Sequence, residues 1–270
     1  MMSLKLMVRA GWSYGIMSIG LAWLAIICFV WALVSLVLNP ILPTAAGRRV
    51  GRLGAMVSFR LYLAVMEALG AWRLDVTALD ALRGEGALII APNHPCLLDA
   101  VLLVSRLPNA VCVMKGSLHR SFLLGPASRL ARYVPNDSLL RLITSAGDEL
   151  KLGGQLLLFP EGTRSTGEPI GPFTEAVGAL SRRSRVPVQT VIIEADHRFL
   201  GKGWTLAARP ELPLTYRLRL GRRFDPPKDV RAFTAELERY FTRELAARAA
   251  PAPVPAGDAP AVEDAQRLRG

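Results

Sequence analysis

No residue between Ala10 and Gly47 carries a charge, and within that run residues 16–38 are almost wholly apolar. As a helix this stretch would be roughly 35 Å long, enough to cross a hydrocarbon core of about 30 Å. Asn39-Pro40 and Pro43 are expected to end it. The run is longer than the apolar segment of a cleaved leader. A second apolar stretch, residues 53–72, contains Arg60 and Glu67 and is therefore no clean span. Its Leu61, Leu63, Ala64, Met66 and Leu69 suit a helix lying on a membrane or one packed on a domain. The pair of stretches also admits a helical hairpin set in one leaflet.

Beyond residue 74 the pattern alternates between short apolar runs and amphipathic stretches. Strands are predicted at 87–91, 110–114, 155–159, 188–194 and 214–220, the last alternating like a partly exposed strand. Helices are predicted at 97–107, 118–133, 139–152 and 173–183. A further helix over 230–245 places Val230, Phe233, Leu237, Tyr240, Phe241 and Leu245 on one face. From Pro251 the chain is rich in Ala, Pro and Asp and reads as disordered. The expected organisation is an N-terminal membrane anchor (1–47), an amphipathic or core helix (48–73), an α/β domain (74–248) and a tail (249–270). The domain should hold a mostly parallel sheet flanked by helices, with ligands at the carboxyl ends of its strands.

Composition sharpens this picture. The chain has 270 residues, 51% of them hydrophobic, and a formal net charge of +11. Such a balance suits an anionic partner, whether a phospholipid surface, a phosphorylated substrate or nucleic acid. Nothing resembles a nucleic-acid module, and the apolar anchor argues against one. Lys5 and Arg9 precede the apolar run, whereas Arg48, Arg49, Arg52 and Arg60 follow it. If the run spans a membrane, the heavier positive flank puts the main domain on the cytoplasmic side. Cys28, Cys96 and Cys112 form no disulfide framework and no metal-ligand spacing.

The chemistry lies after two of the predicted strands. Asn93-His94-Pro95-Cys96-Leu97-Leu98-Asp99 follows the first. A turn can bring the Asp99 carboxylate to one imidazole nitrogen of His94, leaving the other to take a proton from a hydroxyl. Taken alone, the pair also fits a loop histidine and a helix-capping aspartate. Phe159-Pro160-Glu161-Gly162-Thr163-Arg164-Ser165 follows the third strand. There Arg164 can hold a phosphate, with Thr163 and loop amides as further donors, and Glu161 can accept from a substrate hydroxyl or hold Arg164. A polar surface turn with an internal Glu–Arg pair fits as well.

Together, NHPCLLD and FPEGTRS resemble the Asn-His-x4-Asp and Phe-Pro-Glu-Gly-Thr-Arg-Ser blocks of the glycerol-3-phosphate and lysophosphatidic acid acyltransferase family, over residues 74–220. The resemblance implies that His94 is a general base with Asp99 as its partner. It implies that Glu161, Gly162, Thr163 and Arg164 hold the acceptor head group. It also implies acyl-CoA or acyl carrier protein as co-substrate, membrane lipids as partners, and no redox cofactor or catalytic metal. Two places depart from the family. Residues 133–138 (YVPNDS) lack the arginine expected there, though Arg132 and Arg141 flank them, and Val186-Pro187-Val188-Gln189-Thr190 lacks a second proline. An acceptor without glycerol phosphate, in a specialised lipid or pigment pathway, and a non-catalytic lipid-binding protein on the same fold therefore stay open. A lipid-ester hydrolase would need a Gly-x-Ser-x-Gly elbow between a strand and a helix; none follows a predicted strand, and the pattern's one occurrence, Gly11-Trp12-Ser13-Tyr14-Gly15, lies at the start of the uncharged run.

Other residues carry less. Lys115 follows the second strand and can meet an acceptor phosphate or the acyl carrier, and equally fits a solvated lysine. His119 reads as a surface residue. His197, near Glu194 and Asp196, is a poor metal candidate. Arg182, Arg183 and Arg185 suit a helix end. Cys96, two residues from His94, reads as inert rather than as an acyl-carrying nucleophile.

Overall fold

The computed structural model describes residues 4–165, 170–197, 199–204 and 211–249, with side chains described from 11 to 247. The tail expected from Pro251 and the flanking Lys5 and Arg9 side chains lie outside the described residues. Two long helices open the chain, α1 (Leu4–Ile41) and α2 (Thr44–Ala68). A seven-stranded sheet follows: β1 (Trp72–Asp75), β2 (Leu88–Pro92), β3 (Ala110–Met114), β4 (Val134–Pro135), β5 (Gln155–Leu157), β6 (Val188–Ala195) and β7 (Leu214–Phe224). Its order is β1-β7-β6-β2-β5-β3-β4. All neighbours run parallel except β6 and β7, so the sheet is mixed but mostly parallel. Five helices connect and cover it: α3 (Asp99–Val104), α4 (Gly116–His119), α5 (Gly125–Leu130), α6 (Leu139–Lys151) and α7 (Ala176–Ser184). An eighth, α8 (Val230–Ala249), follows the sheet, and a 3-10 turn (Thr77–Leu82) follows β1.

Strand β2 is buried along its whole length, which explains its unbroken apolar sequence. Leu88 and Ile90 face a cluster with Leu98, Leu102, Tyr62 and Met66, whereas Ile89 and Ala91 face Ala146, Leu150, Val177 and Phe241. The period of two thus divides the apolar residues between the two layers of helices.

Several sequence expectations shift. The helix predicted over 118–133 is split into α4 and α5. Pro126 has no N–H to continue a helix, and the Leu124 N–H donates to Ser121 Oγ at 3.1 Å instead of to a helical carbonyl. Residues 97 and 98 belong to the turn around Asp99, so α3 begins two residues late. Strands β1 and β4 were not predicted; Trp72 to Asp75 and Val134-Pro135 are too short to show a period.

Helix α1 does not stop at Asn39-Pro40. It runs to Ile41 with Pro40 in its last turn, where Asn39 Nδ2 donates to the Ser35 carbonyl at 2.8 Å. Its 31 residues from Gly11 to Ile41 are long and apolar enough to cross a membrane. One stripe of α1 packs inward through Ile16, Met17 and Ile27, while Ile19, Ile26, Val30, Leu33 and Val37 are exposed. Helix α2 folds back along it. A Cβ on Gly54 would collide with Trp31, and one on Gly20 with Met66, so these glycines let the helices touch. The two sequence readings of α2 each describe one face. Tyr62, Leu63 and Met66 enter the core, and Leu53, Val57 and Leu61 are exposed.

Helix α2 is fastened to the domain by charge. Arg52, 2% exposed, donates to the Ala131 carbonyl (3.1 Å), Asn109 Oδ1 (2.5 Å) and the Glu149 carboxylate, and Arg48 pairs with the same carboxylate at 2.9 Å. Two of the four arginines read as a free positive flank are therefore spent on Glu149, which corrects the charge count behind the orientation argument.

Candidate active site

Because β2 pairs with β5 (Ile90 beside Leu157), their carboxyl ends are adjacent, and the two motifs meet there. The His94 ring stacks on Phe159, centroids 3.8 Å apart and planes 20° from parallel. His94 Nδ1 lies 2.8 Å from Asp99 Oδ2. Asp99 is fully buried at the start of α3. The same Oδ2 accepts the Cys96 N–H at 2.8 Å, and Oδ1 lies 3.2 Å from Cys96 Sγ. Burial raises the Asp99 carboxyl above the ordinary range, against the opposing pull of His94 and the Cys96 amide. With Nδ1–H donating to the carboxylate, the free pair of the imidazole sits on Nε2, which has no hydrogen-bond partner among the described residues.

Glu161 holds the second loop against the first. Its Oε1 accepts the His94 N–H (3.1 Å) and the Ser165 hydroxyl (2.7 Å), and its Oε2 accepts the Gly171 N–H (2.8 Å). The Ser165 N–H in turn donates to the His94 carbonyl at 2.8 Å. Glu161 does not pair with Arg164. Arg164 Nη1 donates to the Leu200 and Gly201 carbonyls at 2.9 and 3.0 Å, and its remaining nitrogens are unpartnered among the described residues. Gly162 turns the loop at φ 68°, its N–H donating to the Phe159 carbonyl at 3.0 Å, and leaves Thr163 exposed beside it. Asn93 joins its loop to β6, exchanging hydrogen bonds of 2.9 and 2.7 Å with the Ile193 backbone.

Lys115 is exposed at the end of β3, on the same sheet edge but two strands from β2, and no contact joins it to His94. Cys96 is buried, and burial and Asp99 push its thiol up, so it lacks the thiolate a nucleophile needs. Its place against Asp99, with Tyr216 Oη 3.7 Å behind it, was not readable from spacing, because Tyr216 lies 120 residues away on β7. His119 lies 3.0 Å from Ser128 Oγ and His197 accepts the Phe199 N–H at 3.0 Å; neither reaches His94. At the first departure from the family pattern, Asp137 pairs with Arg120 (3.0 Å) and Arg141 (3.5 Å), and Ser138 caps α6. At the second, the Gln189 and Thr190 side chains donate to the Gly221 and Arg222 carbonyls of β7.

The family described as Acyltransferase matches residues 73–194. No curated protein sequence matches the chain. Among solved structures, it is similar to the 1-acyl-sn-glycerophosphate (LPA) acyltransferase PlsC from Thermotoga maritima. The TM-score is 0.68 at 17% identity, covering 94% of this chain and 100% of that one. At that identity the likeness establishes the fold, from the helical pair through the sheet. The family match covers the segment in which His94, Asp99 and the Glu161 loop converge.

Proposed function

We propose that the protein moves a fatty acyl group from a thioester donor, acyl-CoA or acyl carrier protein, to a hydroxyl of a lysophosphatidic acid-like acceptor at a membrane. The observation that carries this reading is the fixed imidazole: Nδ1 held at 2.8 Å by a fully buried carboxylate, Nε2 left open. In the proposed step Nε2 takes the proton of the acceptor hydroxyl as its oxygen bonds to the thioester carbonyl carbon. The Asp99 carboxylate stabilises the imidazolium. The tetrahedral intermediate then expels the thiolate by breaking its C–S bond, and Nε2 returns the proton to sulfur. No covalent enzyme intermediate is needed. The unpartnered nitrogens of Arg164, with Thr163 and the Gly162 turn, are the donors nearest His94 for an acceptor phosphate, and Lys115 is a more distant one.

The membrane part of the reading rests on the helical pair. Helix α1 lies along α2 from Gly20 to Trp31, and α2 is bound to the domain by Arg52 and Tyr62. A span by α1 would carry that attached helix and its buried ion pair into the hydrocarbon. We therefore place the exposed stripes of α1 and α2 in one leaflet, with the domain on the cytoplasmic side, where thioester donors are. A second reading, an acceptor without a glycerol phosphate, is favoured by Ser138. It caps α6, accepting the Arg141 N–H, where the family resemblance implies a phosphate-binding arginine.

The test is acyl transfer by purified, detergent-solubilised protein with both donors against glycerol 3-phosphate, lysophosphatidic acid and non-phosphate lyso-lipids, His94→Ala alongside. Transfer that vanishes in the mutant is expected. Equal transfer by wild type and mutant, or none from either donor by folded protein, overturns the reading.

A further inference from the structure

A cavity of about 480 Å³ lies where the α1–α2 hinge meets α5, β4 and α6, away from His94. Asn39, Thr44 and Gly47 line it from the hinge, and Arg129, Arg132 and Tyr133 from the domain. Glu149 and Asp148 also border it, but Glu149 is held by Arg48 and Arg52, and Asp148 by Lys151 at 3.1 Å. Neither Arg129 nor Arg132 has a carboxylate partner among the described residues. Arg132 Nη2 lies 3.3 Å from Thr44 Oγ1, and Arg129 Nη1 makes only a long contact, 3.5 Å, to the His119 carbonyl. The hinge supplies donors too. The first amide groups of α2, like those of any helix, lack intrahelical acceptors, and Pro43 supplies no side chain to cap them.

The backbone points the same way. Arg132 occupies the left-handed position that ends α5, at φ 59°, with the Tyr133 N–H returning to the Ser128 carbonyl at 2.9 Å. Glycine fills such a cap without strain. An arginine there brings its guanidinium to the hinge. Ile41, exposed at the end of α1, is the chain neighbour of Leu42 at the cavity wall, so the cavity opens where the exposed apolar stripe of α1 ends.

We propose that this cavity binds a phosphate group, carried by an anionic phospholipid of the surrounding leaflet, through Arg129, Arg132 and the α2 N-terminus. Such a ligand would hold the hinge to the domain and bind independently of turnover at His94. The source, lipid or free phosphate, is separable because only the lipid adds acyl chains to lie along Val37 and Ile41.

The experiment titrates the full-length, detergent-solubilised protein with dihexanoyl phosphatidic acid, dihexanoyl phosphatidylcholine or inorganic phosphate, reading thermal shift and native mass. The double variant Arg129→Gln/Arg132→Gln is compared with Arg182→Gln/Arg183→Gln, which removes the same charge from α7. Phosphatidic acid should stabilise wild type, the α7 variant and His94→Ala alike, and bind the cavity variant at least tenfold more weakly. Inorganic phosphate matching the lipid, with the same dependence on the arginines, would support the site and assign it a soluble ligand. Equal binding by the cavity variant, or equal weakening in the α7 variant, overturns the proposal. Should the double variant fail to fold, Arg132→Gly removes the guanidinium while suiting the left-handed backbone.

Discussion

The two ends of the central sheet each bury a charge, and they treat it differently. At the carboxyl end, Asp99 is enclosed, but the chain of contacts it starts leads outward through His94 to an open Nε2. At the opposite end, Arg52 is equally enclosed, and every contact leads inward to Glu149, Asn109 and Ala131. A closed network of this kind contributes little net stability over an apolar replacement, yet is costly to break from one side. An open one leaves a ring nitrogen accessible, as the role proposed for His94 requires. The difference separates a fastening from a site without any reference to sequence motifs.

The comparison can be broken at either end. The largest effect is expected from His94→Ala, with a fall in kcat/KM of about 10³-fold, roughly 4 kcal/mol of transition-state stabilisation. The melting temperature should hardly move, and steady-state kinetics beside a thermal melt would show both. Removing the other charge should do the reverse. Arg52→Ala leaves Glu149 with Arg48 alone and should cost about 3–5 kcal/mol in denaturant unfolding. The double variant Arg52→Met/Glu149→Leu should regain most of that loss.

Asp99→Asn sharpens the contrast with pH. Burial raises the Asp99 carboxyl, so its stability contribution is present at low pH and is lost as pH rises through the raised value. The melting temperature of Asp99→Asn relative to wild type should therefore climb from pH 4 to pH 7, while its activity stays about 10²-fold down. A flat difference across that range would mean that the carboxylate is fully compensated in the fold. The smallest effect is expected at Cys96. Cys96→Ser keeps a donor to Asp99 and should retain activity within about fivefold; near-complete inactivation with normal folding would return a nucleophilic thiol to consideration.

Much of this was legible beforehand for identifiable reasons. Strand β3 lies where its apolar run predicts, because a strand buried among parallel neighbours needs an unbroken run. His94 and Asp99 meet because five residues suffice for one turn. The Glu161 loop was legible as a functional segment but not in its wiring. The carboxylate read as a possible partner of Arg164 instead holds the His94 backbone, 67 residues away. Arg48 and Arg52 read as membrane-flanking charges because a sequence shows their sign and not their partner, Glu149, some 97 residues on from Arg52.

The sequence by itself determined the element types, the parallel core, the apolar helix and the identity of the histidine–aspartate pair. These depend on short-range periodicity and on spacings that one turn can close. Tertiary structure alone decided which charges are spent internally, which imidazole nitrogen is left open, and how the two N-terminal helices lie against the domain. Those outcomes depend on desolvation and on partners brought together by sheet order, and neither is a property of neighbouring residues in the chain.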